Sequence, residues 1–96
     1  MELVQMLSFE EVVALGLVLN EMAGAKEQHP DWPDDQVHAA AIVAEEAGEL
    51  VRASLNARYH GQRQQHCTDE AMQTAATALR FMANAPIEGP NGILVR

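Results

Sequence analysis

Three glutamates within five residues dominate the chemistry open to this chain. They are Glu45, Glu46 and Glu49 in the stretch Glu45-Glu46-Ala47-Gly48-Glu49. On a helix, at 100° per residue, the three fall within an arc of roughly 100° on one face. Like charges at this spacing repel one another. A hard divalent cation relieves that repulsion, because such ions take oxygen ligands, and Mg²⁺ in particular binds a few carboxylates together with water and phosphate oxygens. Mg²⁺ and Mn²⁺ are ions of that kind. The competing account is a solvated acidic helix face, tempered by Arg52 three residues beyond Glu49.

A later stretch adds to the cluster. Glu70, Gln73, Thr77 and Arg80 share one polar stripe of a helix, opposite its alanines. Two antiparallel helices packed through alanine faces would bring Glu46, Glu49 and Glu70 together at one edge, a known way to build a carboxylate site. Other side chains could meet a ligand there. His38 shares a stripe with Ile42, Glu45 and Glu49 and could reach a phosphate or a base, or be a surface histidine in a first helical turn. Arg80 could grip a phosphate with two parallel hydrogen bonds, or pair with a glutamate of the neighbouring helix. Arg52 could pair with Glu49 or with a phosphate. Trp32, between Asp31 and Pro33, could stack on a nucleobase or pin its loop to the core. Lys26, Arg58 and Arg63 are the other cations that could meet phosphates. His60, His66 and Cys67 are borderline-soft ligands without the fourth partner that a zinc site wants. Ser–His–Asp, Walker and Gly-x-Gly-x-x-Gly patterns have no foothold.

Three helices must position these groups. Ser8 followed by Glu11 is a capping box, which predicts a helix from about 9 to 27 ending before Pro30. Its apolar residues almost encircle it: Phe9, Val12, Val13 and Gly16 on one side, Leu15, Val18, Leu19 and Met22 on another. Such a helix needs cover on two sides, and in so small a chain the second cover is expected to be another subunit. Residues 29–35 read as a loop with two prolines, after which Asp34 or Asp35 caps a helix over 36–59 that stops at Gly61. Its inward stripe is Ala39, Val43, Ala47, Leu50 and Ser54. Residues 60–67 read as a polar connector. Thr68 then caps a third helix over 69–84, with Asp69 and Glu70 in its first turn and Ala71, Ala75, Ala78, Leu79 and Met82 as its apolar face. The tail, residues 85–96, reads as irregular, with Ile93, Leu94 and Val95 free to dock on the core or on a partner. The predicted class is all-α: a single small oligomeric domain of three main helices over residues 1–96.

HAAAIVAEEAGELVRASL (38–55) followed by DEAMQTAATALRFM (69–82) resembles the all-α nucleoside triphosphate pyrophosphohydrolases of the MazG type. The family signature is Glu-Glu-x-x-Glu, a gap of about 12 to 28 residues, then Glu-x-x-Asp. The first half is intact as Glu45, Glu46 and Glu49, and the gap to Glu70 fits. The second half reads Glu70-Ala71-Met72-Gln73, so Gln73 stands where the pattern has Asp. The resemblance covers about half of the chain. It implies hydrolysis of a nucleoside triphosphate to monophosphate and pyrophosphate in a homodimer or homotetramer. It implies Glu46, Glu49, Glu70 and Gln73 as Mg²⁺ ligands, and Glu45 as a second-metal ligand or a water-orienting base. An amide at position 73 can ligate without charge, so weakened metal binding is expected. A non-catalytic nucleotide or metal binder and an interaction module stay open as alternatives.

Composition bounds the rest. Six Lys and Arg against 14 Asp and Glu give a formal net charge of −8 in 96 residues. Duplex nucleic acid and anionic membranes want a basic face, so neither is an expected partner. A single Cys forms no intrachain disulfide and suits a reducing compartment. The opening MELVQML has no basic region, so a secretory signal is not expected, and the longest apolar run, Val12 to Leu19, is too short for a bilayer. The expected location is the cytoplasm.

Overall fold

The computed structural model describes residues 2–88, 92 and 94–95. Three long helices account for most of them: α1 (Phe9–Gln28), α2 (Gln36–Tyr59) and α3 (Gln64–Asn84), after a short 3-10 turn at Leu3–Met6. The predicted all-α class holds, and the first two helices start where their caps place them. In the capping box of α1, the Ser8 amide donates to Glu11 Oε1 at 2.8 Å and the Glu11 amide donates to Ser8 Oγ at 3.1 Å. Two of the four free N–H groups of the first turn are thereby satisfied. Asp35 caps α2, its Oδ1 accepting from the Val37 amide at 3.0 Å. Gly61, at φ +71°, lies just past the end of α2 and supplies the left-handed turn that stops it.

The third helix departs from expectation at its start. It begins at Gln64, with Arg63 as an N-cap that makes no side-chain bond, so Thr68 is an interior residue and not a cap. Asp69 and Glu70 therefore sit in the second turn. Residues 64–67 are helical, and Cys67 is buried. Glutamine is a good helix former, and Gln65 Nε2 donates to Asp69 Oδ1 at 2.8 Å one turn on, so this polar run supports itself.

Helix α3 packs against both α2 and α1 and so forms the middle of the bundle. Its inward face is also not the expected one. Ala71 is exposed and Met82 is 71 % exposed, whereas Cys67, Ala76 and Arg80 are buried. On α2, Ala39 and Ala53 are buried, and Ser54 faces solvent. The tail is not wholly irregular: β1 (Ile87–Glu88) pairs antiparallel with β2 (Leu94–Val95), Ile87 opposite Val95. Of the expected docking residues, Ile93 lies outside the described residues.

Among the described residues, the buried apolar ones are all small: Ala39, Ala53, Cys67 and Ala76. No residue of α1 is buried, and Val13, Leu15, Leu17 and Leu19 are each more than 40 % exposed. The chain exposes 7447 Å², about 2,000 Å² more than a folded monomer of this size presents. Its radius of gyration, 16.0 Å, likewise exceeds the roughly 12–13 Å of a compact chain of this length. No helix of the described residues is long and apolar enough to cross a membrane.

Candidate functional site

Helices α2 and α3 bring three of the predicted residues together. Ligand oxygens of Glu46, Glu49 and Glu70 all lie within 4.8 Å of one another. Glu46 and Glu49 stand almost one turn apart on α2, and Glu70 meets them from the second turn of α3. Glu49 is exposed, whereas Glu46 and Glu70 are half-buried. Glu46 Oε2 and Glu70 Oε2 are shut off from solvent and have no hydrogen-bond partner. A buried carboxylate oxygen left unsatisfied is costly.

The titration behaviour follows from that crowding. Burial is the main cause holding Glu46 above its ordinary value of 4.5, and the charges of Glu49, Glu70, Glu45 and Glu21 push it the same way. Glu70 is also raised from 4.5, first by burial, then by the charge of Glu49 and by a hydrogen bond with that carboxyl, then by Asp69; only His66 opposes. Both groups are therefore harder to ionise than a free carboxyl, and a positive charge nearby would oppose that shift. Three oxygen donors in mutual reach, two of them with unsatisfied buried atoms, fit a hard divalent cation in kind and number.

Beside the cluster runs a cleft of about 420 Å³ between the three helices and the 29–35 loop. Its apolar walls are Ala25 of α1, Ile42 of α2, Ala76 of α3 and the loop residues Trp32 and Pro33. Its polar groups include Glu46, Gln73, Thr77 and Arg80. Gln73, Thr77 and Arg80 of the polar stripe of α3 thus turn toward the cleft. They can do so because the hydroxyls here are served by the helix itself: Thr74 Oγ1 donates to the Glu70 carbonyl at 2.7 Å, and Thr77 Oγ1 to the Thr74 carbonyl at 2.9 Å. Glu46 belongs to both the cluster and the cleft, which joins the two.

The remaining predicted residues divide. Arg80 is 7 % exposed and makes no ion pair with α2. Its Nη2 donates to the His29 carbonyl at 3.0 Å, and its guanidinium lies 4.8 Å from the centroid of the Trp32 ring. Trp32 does pin its loop, through Arg80, while still lining the cleft. Glu45 is exposed and outside the trio, acting on it only by repulsion. His38 and Arg52 are exposed and do not line the cleft, and no Arg52–Glu49 pair forms among the described residues. His60 and His66 are exposed while Cys67 is buried, and among the described residues they do not converge. Glu21 escaped the sequence reading, although it lines the cleft and raises Glu46. Its signal was an acid with Leu17, Val18 and Ala25 one helical turn to either side.

No protein-family model, no curated protein and no solved structure matches this chain.

Proposed function

We propose that the chain is a divalent-cation-dependent nucleoside triphosphate pyrophosphohydrolase of the MazG kind, working as a homo-oligomer. One observation carries the reading: Glu46, Glu49 and Glu70 converge within 4.8 Å at the edge of a 420 Å³ cleft. These three would hold Mg²⁺, with the Gln73 amide oxygen as a neutral addition. When bound, the ion would neutralise phosphate charge and lower the pKa of a coordinated water. The chain's own residues supply the rest. The apolar walls at Ala25, Ile42 and Ala76 would give the substrate a surface to pack against. Glu45, next to Glu46 in the chain, would accept the proton of an attacking water. Water adds to the first phosphorus, the bond to the bridging oxygen breaks, and monophosphate and pyrophosphate leave.

Self-association has its own support. The apolar girth of α1 is uncovered, and a groove of about 260 Å³ on the other side of α3, at Ala40, Val43, Ala78, Phe81 and Met82, is open. Large apolar side chains left exposed along one helix support an interface between copies.

A panel of nucleoside triphosphates with Mg²⁺, assayed for both monophosphate and pyrophosphate, tests the enzyme reading. Stoichiometric release of the two, abolished by EDTA, is expected. Gln73 favours one second reading, a binder without turnover. Nucleotide binding with no product from any triphosphate would select it.

A further inference from the structure

The cleft has a cationic end that the carboxylate cluster does not explain. Arg80 is 7 % exposed, and its Nε is buried without a partner. Its Nη1 makes no hydrogen bond with the described residues, and none of their carboxylates lies within ion-pair distance. The bond to the His29 carbonyl and the stack on Trp32 hold the loop, but neither neutralises the charge. A guanidinium taken out of water without a counter-ion is expensive, and this chain, at net −8, has carboxylates to spare. That none has been placed beside Arg80 leaves room for an anion from outside.

The position narrows the anion. Arg80 and Gln73 line the same cleft, two turns apart on α3, which is about 10 Å of helix axis. Long side chains on a helix lean toward its N-terminus, which brings the guanidinium nearer the cluster. An anion spanning both ends must be extended and charged along its length. We propose that Arg80, held against Trp32, is the anion-binding end of the cleft, taking phosphate oxygens of a phosphoanhydride chain whose other end lies at Glu46, Glu49 and Glu70. The identity of the anion rests on the pyrophosphohydrolase reading; the unpaired charge does not. In that reaction Arg80 grips the portion that departs as pyrophosphate, using the planar fork that suits phosphate. Glu21, Asp31 and Glu46 share the cleft and repel an anion, so a cation at the cluster should strengthen its binding.

Trp32 is the only tryptophan, and its contact with Arg80 makes its emission a direct reporter. The experiment is a fluorescence titration with inorganic pyrophosphate, in EDTA and in Mg²⁺, on the wild type, Arg80→Gln and Arg80→Lys, each with its melting temperature. A saturable change in the wild type, tighter with Mg²⁺, is expected. Arg80→Gln should bind about tenfold weaker or worse. Arg80→Lys, which keeps the charge and loses the fork, should fall between. A change seen in EDTA, lost in Arg80→Gln and indifferent to Mg²⁺, supports the Arg80 site and counts against the cation reading of the cluster. No saturable change in either solution overturns the proposal. So does a lower melting temperature with unaltered affinity, the mark of a strut. Should Arg80→Gln fail to fold, unaltered affinity in Arg80→Lys overturns it equally.

Discussion

Glu49 is the exposed member of a cluster whose other two carboxylates are half-buried, so it is the ligand whose loss disturbs the fold least. Glu49→Gln should remove most Mg²⁺ affinity while leaving the metal-free melting temperature unchanged or higher. Calorimetric titration that finds equal affinity would reduce the cluster to a solvated acidic face. Glu70 gives a sharper test through pH. Its folded pKa is raised, as is that of Glu46, so the folded chain binds these protons more tightly than the unfolded one. Their contribution to stability is complete below the unfolded carboxylate range and is lost as pH rises through the raised values. In EDTA at neutral pH, Glu70→Gln should therefore melt above the wild type, and the gap should close below about pH 4. A gap constant across pH would mean that Glu70 is not strained by charge. Gln73 completes the set. It lines the cleft with Glu46, so Gln73→Asp puts a fourth carboxylate beside three. Metal-free stability should fall and Mg²⁺ binding should tighten, since hard cations prefer charged oxygens. A thermal-shift titration that moves neither quantity would place Gln73 outside the site.

At the level of elements, the clearest signals were the local ones. The Ser8–Glu11 box and the Asp35 cap act within a few residues, so their chemistry is written in adjacent letters. Asp35→Ala should cost about 1 kcal/mol in urea unfolding; an unchanged midpoint would mean that α2 is held by packing alone. The start of α3 was hidden because Gln64, Gln65 and His66 are polar and Arg63 provides no side-chain cap. Polarity suggested a connector, while helix propensity pointed the other way. The inward face of α3 was misleading for a different reason. Glu70, Gln73, Thr77 and Arg80 form a polar stripe of the kind that normally marks solvent, but here Gln73, Thr77 and Arg80 line the cleft and Glu70 joins the carboxylate cluster. Amphipathic patterning distinguishes polar from apolar and cannot tell bulk water from a wet cleft. The convergence of Glu46, Glu49 and Glu70 was legible from helix spacing and the resemblance together, whereas Glu21 and the Arg80–Trp32 contact depend on packing between distant segments. Helix α1 was legible in its excess: it is apolar nearly all round and nowhere buried. Leu15→Glu, on a 46 % exposed position, should dissociate the proposed assembly while changing little within one copy. Unchanged sedimentation of that variant would exclude α1 from the interface.

For the molecule as a whole, surface and site make one account. Among the described residues the buried apolar side chains are all small, and the chain exposes 7447 Å², so sedimentation at micromolar concentration should show a dimer or larger. A monomer would contradict the assembly. The central claim is that the acidic cluster and the adjoining cleft form one site for a divalent cation and a triphosphate. Isothermal titration with Mg²⁺, alone and in the presence of a non-hydrolysable nucleoside triphosphate analogue, measures that most directly. The account predicts that Mg²⁺ binds and that the analogue tightens its binding, because the phosphates complete the ligand set and the cation cancels the repulsion from Glu46 and its neighbours. Heat of binding for neither Mg²⁺ nor the analogue, from a protein that is folded and self-associated, would contradict it.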